Sequence, residues 1–355
     1  MPYIVDIQTS FPENYYSQKE LIKSITEALE GKIRNTSRIE TIHSNVLVEG
    51  RHLAVPLEKY FQLGSFDEKN SLFIEKAVDL STEAISKILK NNNLEAKDIS
   101  SLWSNTVTGF AIPSIESRVM NKLPFSPKTK RVPLMGLGCM AGVAGINRVA
   151  DYLKAYPDEA VIFSSVELCS LTVQMSDISV ANLISIGLFG DGAASVLMVG
   201  DNHPLSRVAP IEWKSSRSIF FPDTQDVMGW KVGEKGLNIV LSKSVPDLTE
   251  KSLPGPLNEF LSENNLDLSK IDSFFAHPGG PKVLLALEKV LDLPEKGLKH
   301  SWDSLAKNGN MSSVSVLDIF KRNMDAQTPE LSGKNIISVA MGPAFSAELG
   351  LLKWK

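Results

Sequence analysis

The chain has 355 residues, 43% of them hydrophobic and 22% charged, which is typical of a globular protein with a large core. Its net charge of −4 argues against nucleic-acid binding through bulk positive charge. The N-terminus lacks a basic segment followed by an apolar run, and no apolar run approaches the roughly 20 residues of a membrane span, so we expect neither a signal peptide nor a transmembrane segment. Two cysteines do not make a disulfide framework, which favours reduced thiols and a cytoplasmic location.

Strands and helices alternate along the first half of the chain. The predicted strands are residues 3–8, 101–108, 131–137, 160–166 and 193–199. The predicted helices are residues 17–30, 71–90, 114–123 and 141–156. The pattern breaks at Asn202-His203-Pro204, which we interpret as the boundary between two halves, residues 1–205 and 206–355.

The second half repeats the alternation. Its predicted strands are residues 211–216, 271–276, 336–340 and 348–354, and its predicted helices are residues 255–263, 282–291 and one that opens at Ser312. Alternating helices and strands indicate a layered α/β fold. No internal repeat is visible by residue identity, so the sequence predicts the alternation but not a duplication.

Cys139 lies at the junction between the predicted strand 131–137 and the helix 141–156. A cysteine at a strand-to-helix turn lies near the positive end of the helix dipole, which stabilises a thiolate and lowers the thiol pKa. The neighbouring glycines let a substrate or other backbone come close. Taken alone, the segment is equally compatible with a nucleophile and with a buried structural cysteine.

Two distant segments could complete a site around this cysteine. His277 stands at the end of a predicted strand, before a Pro-Gly-Gly-Pro turn, and Asn310 stands in a polar loop that opens a helix. Alone, the histidine would be structural and the asparagine a turn or cap residue. Together with Cys139 they supply a nucleophile, a base and an amide donor, and such groups converge in space even when they are distant in sequence. The sequence contains no P-loop, dinucleotide fingerprint or metal-ligand cluster.

Five motifs occur in an order that resembles the type III polyketide synthases, the chalcone synthase-like condensing enzymes. They are GLGCMAGVAG (136–145), LFGDGAASVLMVG (188–200), AHPGGP (276–281), NGNMSS (308–313) and MGPAFSAELG (341–350). The segments PFSP (124–127) and ELCSLT (167–172) are most similar to the bacterial alkylpyrone-forming branch.

The resemblance implies a thiolase-type fold, an αβαβα layered sandwich of two similar halves, and a homodimer. It implies coenzyme A thioesters as substrates and no bound cofactor or metal. Cys139 would hold a starter acyl group as a thioester, and His277 and Asn310 would stabilise the enolate formed when malonyl-CoA loses CO2. Ile112 would reach the cavity of the partner subunit.

The resemblance also assigns pocket positions. Phe189 matches a gatekeeper phenylalanine, and Glu167 matches a glutamate that shares a polar network with a serine, here Ser312, and with a threonine, here replaced by Val107. Valine cannot donate a hydrogen bond. The loss of that hydroxyl favours ring closure by an enol oxygen, which produces an alkylpyrone.

Further candidates follow from the same resemblance. Thr172 and Gly236 match cavity positions, and Gly236 would leave room for a long acyl tail. Gly342 and Pro343 belong to a loop in which two family glycines are alanines here. Cys169 is either a pocket wall or an inert core cysteine, and Arg51 is either a contact for coenzyme A phosphates or a surface arginine.

Two other functions remain open from the sequence. A carrier-protein-dependent ketoacyl synthase of the third class shares the cysteine, histidine and asparagine but lacks the Pro-Gly-Gly-Pro turn. A non-catalytic scaffold of the same fold has no need to retain Cys139, His277 and Asn310 together.

Overall fold

The computed structural model describes residues 1–30 and 37–355. Within these residues the strands are β1 (Tyr3–Ser10), β2 (Asn14–Ser17), β3 (Gly50–Leu53), β4 (Ser101–Asn105), β5 (Lys130–Leu134), β6 (Ala160–Leu168), β7 (Asp191–Val199), β8 (Ile211–Phe220), β9 (Met228–Gly233), β10 (Gly236–Leu241), β11 (Ser273–Ala276), β12 (Asn335–Gly342) and β13 (Ser346–Trp354). The helices are α1 (Gln18–Ala28), α2 (Ser37–Ser44), α3 (Leu57–Tyr60), α4 (Phe66–Asn91), α5 (Ile115–Val119), α6 (Ala141–Ala155), α7 (Val180–Leu188), α8 (Val245–Ser252), α9 (Pro254–Glu263), α10 (Pro281–Val290), α11 (Lys299–Asn308) and α12 (Ser313–Asp325).

Nine strands form one mixed sheet in the order β11-β12-β13-β8-β1-β7-β6-β4-β5. In the first half, β4 is parallel to β6, β6 is antiparallel to β7, and β7 is antiparallel to β1. The second half has the same pattern in β11, β12, β13 and β8. The halves meet where β1 pairs with β8. The duplicated, thiolase-like α/β architecture is therefore confirmed at the level of topology, whereas the division at residue 205 stays a prediction.

The helices α6 and α12 pack against each other in the middle of the molecule. Both carry fully buried side chains, such as Val143 on α6 and Val316 on α12, in one core that also includes Phe163 and Trp213 from the strands. A Cβ atom at Gly142 would overlap the side chain of Val316 and the carbonyl oxygen of Ser313. The small residues of α6 are thus required by the close approach of the two helices.

The outer layers cover the two halves of the sheet. On one side, α4 packs against β1, β6 and β7, and it begins with a capping box formed by Ser65 and Glu68. On the other side, α8 to α11 enclose a separate core with β12 and β13. Among the described residues, no helix combines the length and hydropathy needed to cross a membrane.

The sequence patterns missed several elements, notably α7, α8 and the hairpin of β9 and β10. The hairpin is half-exposed, and its alternation of polar and apolar residues is interrupted by glycines and lysines. These elements matter because they form much of the wall of the cavity described next.

Candidate active site

A cavity of about 710 Å³ contains the three side chains that the sequence singled out for catalysis. Cys139 lies just before α6, His277 directly follows β11, and Asn310 lies between α11 and α12. All three line the cavity. The fold therefore brings together groups that are far apart along the chain.

The walls of this reaction cavity are mainly apolar. They come from the ends of α7 and β12, from the hairpin of β9 and β10, and from the start of α8. The apolar residues lining it are Ile42, Val46, Val107, Ile184, Leu188, Phe189, Met228, Trp230, Ile239, Val240, Leu241, Val245, Pro246, Pro281, Val283, Met341 and Pro343. Such a surface is suited to an acyl or polyketide chain rather than to a strongly polar ligand.

Cys139 belongs to a short 3-10 turn, Gly138–Met140, that continues into α6. Gly138 has a φ of 54°, and a Cβ atom there would overlap the ring of Pro343. Glycine is therefore required both by the left-handed backbone and by the packing. The thiol of Cys139 donates to the hydroxyl of Ser312 at 3.5 Å.

His277 is held by its backbone and not by its ring. Its N–H donates to the carbonyl of Val339 at 2.9 Å, in continuation of the pairing of β11 with β12. Both ring nitrogens are buried and have no hydrogen-bond partner among the described residues. Because burial disfavours the imidazolium, the pKa of His277 falls to about 3. A neutral imidazole with unused hydrogen-bonding capacity lines the cavity.

Asn310 has its amide orientation set by a neighbour. The side-chain oxygen accepts the backbone N–H of Ser312 at 2.8 Å, and the side-chain nitrogen donates to the carbonyl of Gly279 at 3.3 Å. The backbone N–H of Asn310 donates to the carbonyl of Leu188, and the backbone carbonyl of Asn310 accepts from the N–H of Gly190. The two bonds therefore hold the residues on either side of Phe189. Phe189 lines the same cavity. The aromatic wall and the amide donor are therefore fixed relative to each other.

The expectation that the thiol pKa of Cys139 is lowered is wrong. Burial raises the pKa of Cys139 to about 11, with a further contribution from the charge of Glu167. Desolvation outweighs the helix terminus because the thiol lies in a mainly apolar cavity. Burial disfavours thiolate and imidazolium individually, whereas a proton transferred from Cys139 to His277 would create two opposite charges in one cavity that stabilise each other.

Glu167 lies fully buried near the end of β6 and accepts four hydrogen bonds. They come from the hydroxyls of Thr106 (3.3 Å), Thr108 (2.8 Å) and Ser313 (2.7 Å) and from the N–H of Val107 (3.1 Å). Burial nevertheless raises the pKa of this carboxyl to about 7.

These contacts correct two sequence-based assignments. The serine that contacts Glu167 is Ser313, whereas Ser312 contacts Cys139. Although Val107 has no hydroxyl, Glu167 still accepts hydrogen bonds from two threonines. These are Thr106 and Thr108, the residues on either side of Val107 in the chain. Val107 itself lines the reaction cavity with an apolar side chain.

Arg51 is not available to bind coenzyme A. Its side chain is buried, and its guanidinium donates to the carbonyls of Ile186 and Gly187 near the end of α7 and to the side chain of Gln18. Burial lowers its pKa to about 10, and nearby Asp191 opposes that shift. Arg51 therefore serves as a structural cap, because cations are favoured at the C-terminal end of a helix.

The structure separates three other predicted pocket residues. Cys169 lines the reaction cavity, but Thr172 and Gly236 line a different cavity of only about 10 Å³. A Cβ atom at Gly236 would lie 2.9 Å from the ring of Phe66. Gly236 therefore does not open space in the reaction cavity, whose wall on this side is formed by apolar residues of β9 and β10.

The hairpin between β12 and β13 carries the predicted Gly342-Pro343 turn. Pro343 lines the reaction cavity, and Gly342 packs directly behind Leu137 and Met140. Ala344 has a φ of 55°, a backbone conformation in which the family's glycine would be unstrained.

Ile112 is 99% exposed in the loop before α5 and is not among the residues that line the reaction cavity within this chain.

Two lysines at the cavity were missed by the sequence reasoning. Lys243 and Lys282 line the reaction cavity, are exposed, and form no ion pair among the described residues. Lys282 follows Pro281 at the start of α10, one position beyond the motif AHPGGP. This position next to the motif is the feature of the sequence that could have identified Lys282 as a residue of the site.

A thiol, an imidazole and an oriented amide in one apolar cavity of a thiolase-type fold are the arrangement expected of a condensing enzyme. Residues 63–211 match the family model "FAE1/Type III polyketide synthase-like protein", and residues 212–353 match "Chalcone and stilbene synthases, C-terminal domain". The chain belongs to the type III polyketide synthases.

Known relatives agree with this assignment. A 1,3,6,8-tetrahydroxynaphthalene synthase of Streptomyces peucetius subsp. caesius is 37% identical over 99% of this chain and 93% of its own length. A putative chalcone synthase of Bacillus subtilis (strain 168) is 35% identical over 100% of this chain and 99% of its own length. The crystal structure of 1,3,6,8-tetrahydroxynaphthalene synthase from Streptomyces coelicolor A3(2) matches with a TM-score of 0.92 and 28% identity, covering 99% of both chains.

Proposed function

We propose that this enzyme condenses malonyl-CoA repeatedly onto an acyl-CoA starter held on Cys139, and that it releases an alkylpyrone. The observation that carries the proposal is the arrangement of Cys139, His277 and Asn310 in one apolar cavity of about 710 Å³. The preferred starter is a long-chain acyl-CoA, because the hairpin of β9 and β10 supplies an apolar wall for its tail.

Loading begins when the Cys139 thiol transfers its proton to the free imidazole of His277. The thiolate then attacks the carbonyl carbon of the starter thioester. The bond to the coenzyme A sulfur breaks, and the departing thiolate takes the proton back from His277. The acyl group now forms a thioester with Cys139.

Extension uses the donors that face the cavity. When malonyl-CoA loses CO2, the electron pair of the broken carbon–carbon bond forms an enolate, whose oxygen accepts hydrogen bonds from His277 and from the side-chain nitrogen of Asn310. The apolar ring of Phe189 beside the malonyl group disfavours its carboxylate and so favours decarboxylation. The enolate carbon attacks the Cys139 thioester, the Cys139 thiolate leaves, and the lengthened chain is now a thioester of coenzyme A. For the next round, the Cys139 thiolate attacks this thioester, takes the chain back and releases free coenzyme A.

Val107 influences the ring-closure step. With a valine on the cavity wall, no hydroxyl from that position can orient water or an aldol reaction at the bound chain. An enol oxygen of the polyketide chain then attacks its own thioester carbonyl, the thiol leaves, and a pyrone forms.

Binding of the coenzyme A thioesters is assigned to Lys243 and Lys282, whose ammonium groups form no ion pair with the residues that the structure describes and suit phosphates. We also propose a homodimer, since the exposed side chain of Ile112 is suited to contact a second subunit. A reduced Cys139 is required throughout, which favours a cytoplasmic location.

A second product class is favoured by one comparison. The relative that is 37% identical is named for an aromatic product, 1,3,6,8-tetrahydroxynaphthalene. The test is to incubate the purified enzyme with malonyl-CoA alone and with malonyl-CoA plus acyl-CoAs of 4 to 14 carbons, and to identify products by mass. We expect alkylpyrones whose alkyl chain length increases with that of the acyl-CoA starter. A tetrahydroxynaphthalene from malonyl-CoA alone would overturn the alkylpyrone proposal.

Val107→Thr supplies the matched variant for this test. We expect it to raise the share of aldol or hydrolysed products while the starter preference stays the same. An unchanged product ratio would mean that Thr106 and Thr108 already determine the polarity around Glu167.

A further inference from the structure

A second large cavity lies apart from the reaction cavity. It has a volume of about 650 Å³, within the usual range of small-molecule sites, and it shares none of its lining residues with the reaction cavity. It lies between α1, the segment that joins α3 to α4, the residues after the turn Cys169–Thr172, and the turn between β9 and β10. We call it the lysine cavity, after Lys69 and Lys235 on its wall.

The two lysines give this cavity positive charge. The ammonium group of Lys69 donates to the carbonyl of Val173 at 2.8 Å, and burial together with the charge of Lys235 lowers the pKa of Lys69. Neither lysine has a carboxylate within ion-pair distance among the described residues. Glu27 also lines the cavity, but the ion pair it forms is with Lys23, at 4.0 Å. The charged groups that the described part of the chain places on this wall are two cations and one carboxylate, so their charges sum to a positive value.

The rest of the wall is mixed, with polar side chains from Ser24, Gln174 and Ser176 and an apolar part that would contact a chain. Phe61 is 49% exposed although it faces this cavity, and Tyr60, Leu63, Met175 and Ala28 continue the surface. An exposed aromatic on the same wall as two lysines that form no ion pair with the described residues is a surface that an amphiphilic anion would cover. A single negative charge suits the site better than a phosphate dianion, because Glu27 is part of the same wall.

We propose that the lysine cavity binds an organic carboxylate with an apolar chain, such as a medium-chain fatty acid, with its head group on Lys69 and Lys235 and its chain against Phe61, Leu63 and Met175.

A small apolar cavity of about 50 Å³ lies between the two sites, because it shares Tyr60, Phe61 and Met175 with the lysine cavity and Cys169 and Phe189 with the reaction cavity. The hydroxyl of Tyr60 lies 2.5 Å from that of Ser170, which follows the cavity-lining Cys169. A fatty acid could also enter the reaction cavity, so the experiment must distinguish the two locations.

Decanoate binding to the full-length protein, measured by calorimetry, tests the proposal. We expect Lys69→Gln/Lys235→Gln to weaken binding by about tenfold or more, because two charge-assisted contacts are lost. Lys243→Gln/Lys282→Gln makes the same charge change at the reaction cavity and should leave decanoate affinity within about twofold, because no contact in the lysine cavity is lost. Met175→Trp, which fills the lysine cavity without a change of charge, should also weaken binding.

Three further arms complete the test. Lys69→Arg/Lys235→Arg should restore binding, and unchanged thermal unfolding of the glutamine pair would show that the protein is folded. Decanol should bind much more weakly than decanoate. Equal affinity of the wild type and of the glutamine pair, loss only in the Lys243/Lys282 pair, or tight binding of inorganic phosphate alone would each overturn the proposal.

Discussion

The sulfur of Cys139 lies 3.5 Å from the hydroxyl oxygen of Ser312, whose backbone has a φ of 51° and a ψ of −129°. Residues with a side chain rarely adopt this conformation, and it costs on the order of 1–3 kcal/mol. The backbone N–H of Ser312 also donates to the side-chain oxygen of Asn310. One strained residue therefore contacts both the thiol of Cys139 and the side-chain amide of Asn310.

Ser312→Ala should slow alkylation of Cys139 by about fivefold, the effect of losing one hydrogen bond of about 1 kcal/mol. The hydroxyl of Ser312 lowers the thiol pKa, so its removal should shift the pH dependence of alkylation to higher pH. The measurement is the rate of iodoacetamide labelling at Cys139, identified by peptide mass. Ser312→Gly is the matched control, because it loses the same hydroxyl but relieves the backbone strain. Labelling at the wild-type rate in both variants would contradict this role.

His277→Ala and Asn310→Ala should each lower malonyl-CoA decarboxylation by ~100- to 1000-fold, because each removes one donor to the enolate oxygen. Cys139→Ala should abolish condensation with every starter but leave both donors in place. The assay is release of CO2 from labelled malonyl-CoA. Cys169→Ala, which removes the other cavity thiol, is expected to retain condensation. CO2 release at the normal rate in the His277 and Asn310 variants would show that other groups bind the enolate.

Glu167→Gln should change how the free energy of unfolding depends on pH. Burial raises the pKa of Glu167 from 4.5 to about 7 in the folded chain, so the wild type loses stability as pH rises through that range. The loss amounts to about 3 kcal/mol at most, and glutamine cannot titrate. The free energy of unfolding is measured with urea at pH 5 and pH 8. Relative to the wild type, the variant should be more stable at pH 8 than at pH 5. An equal difference between the two proteins at both pH values would mean that Glu167 is already charged at pH 5.

Ile239→Trp should reduce the preference for long starters, because Ile239 lines the reaction cavity on β10. For the wild type, each methylene that becomes buried should add up to about 0.8 kcal/mol, until the cavity is full. The measurement is kcat/KM for acyl-CoAs of increasing length. Val232→Trp on the same hairpin is the control, since Val232 is 68% exposed and does not line the cavity. If the two variants show the same length dependence, the tail lies elsewhere.

Lys243→Gln and Lys282→Gln should raise KM for acyl-CoA severalfold at low salt, with a smaller effect at high salt because exposed charges are screened. A starter thioester of N-acetylcysteamine has no phosphates, so its kinetics should be the same in the variants and the wild type. If the variants lose activity equally with both kinds of thioester, the lysines do not act through phosphate binding.

Several elements could be predicted because their determinants are local. The strands 160–166 and 193–199 are long apolar runs, and they appear as the buried strands β6 and β7. The helix 141–156 was placed to within a residue of α6 because its pattern of small and apolar residues is regular. The hairpin of β9 and β10 could not be predicted, because half-exposed strands with glycines lack a clear alternation of polar and apolar residues.

The local sequence around Cys139, His277 and Asn310 was sufficient to name these residues as a candidate site, since each stands in a distinctive turn at the end of a strand or the start of a helix. It did not determine side-chain contacts that depend on distant chain segments. Only the tertiary structure shows that Ser313 and not Ser312 contacts Glu167, that Arg51 caps α7, and that Gly236 faces Phe66. It also decides the protonation of Cys139 and His277, because desolvation depends on every residue that surrounds a group, whereas turn and helix propensity depend only on its neighbours in the chain.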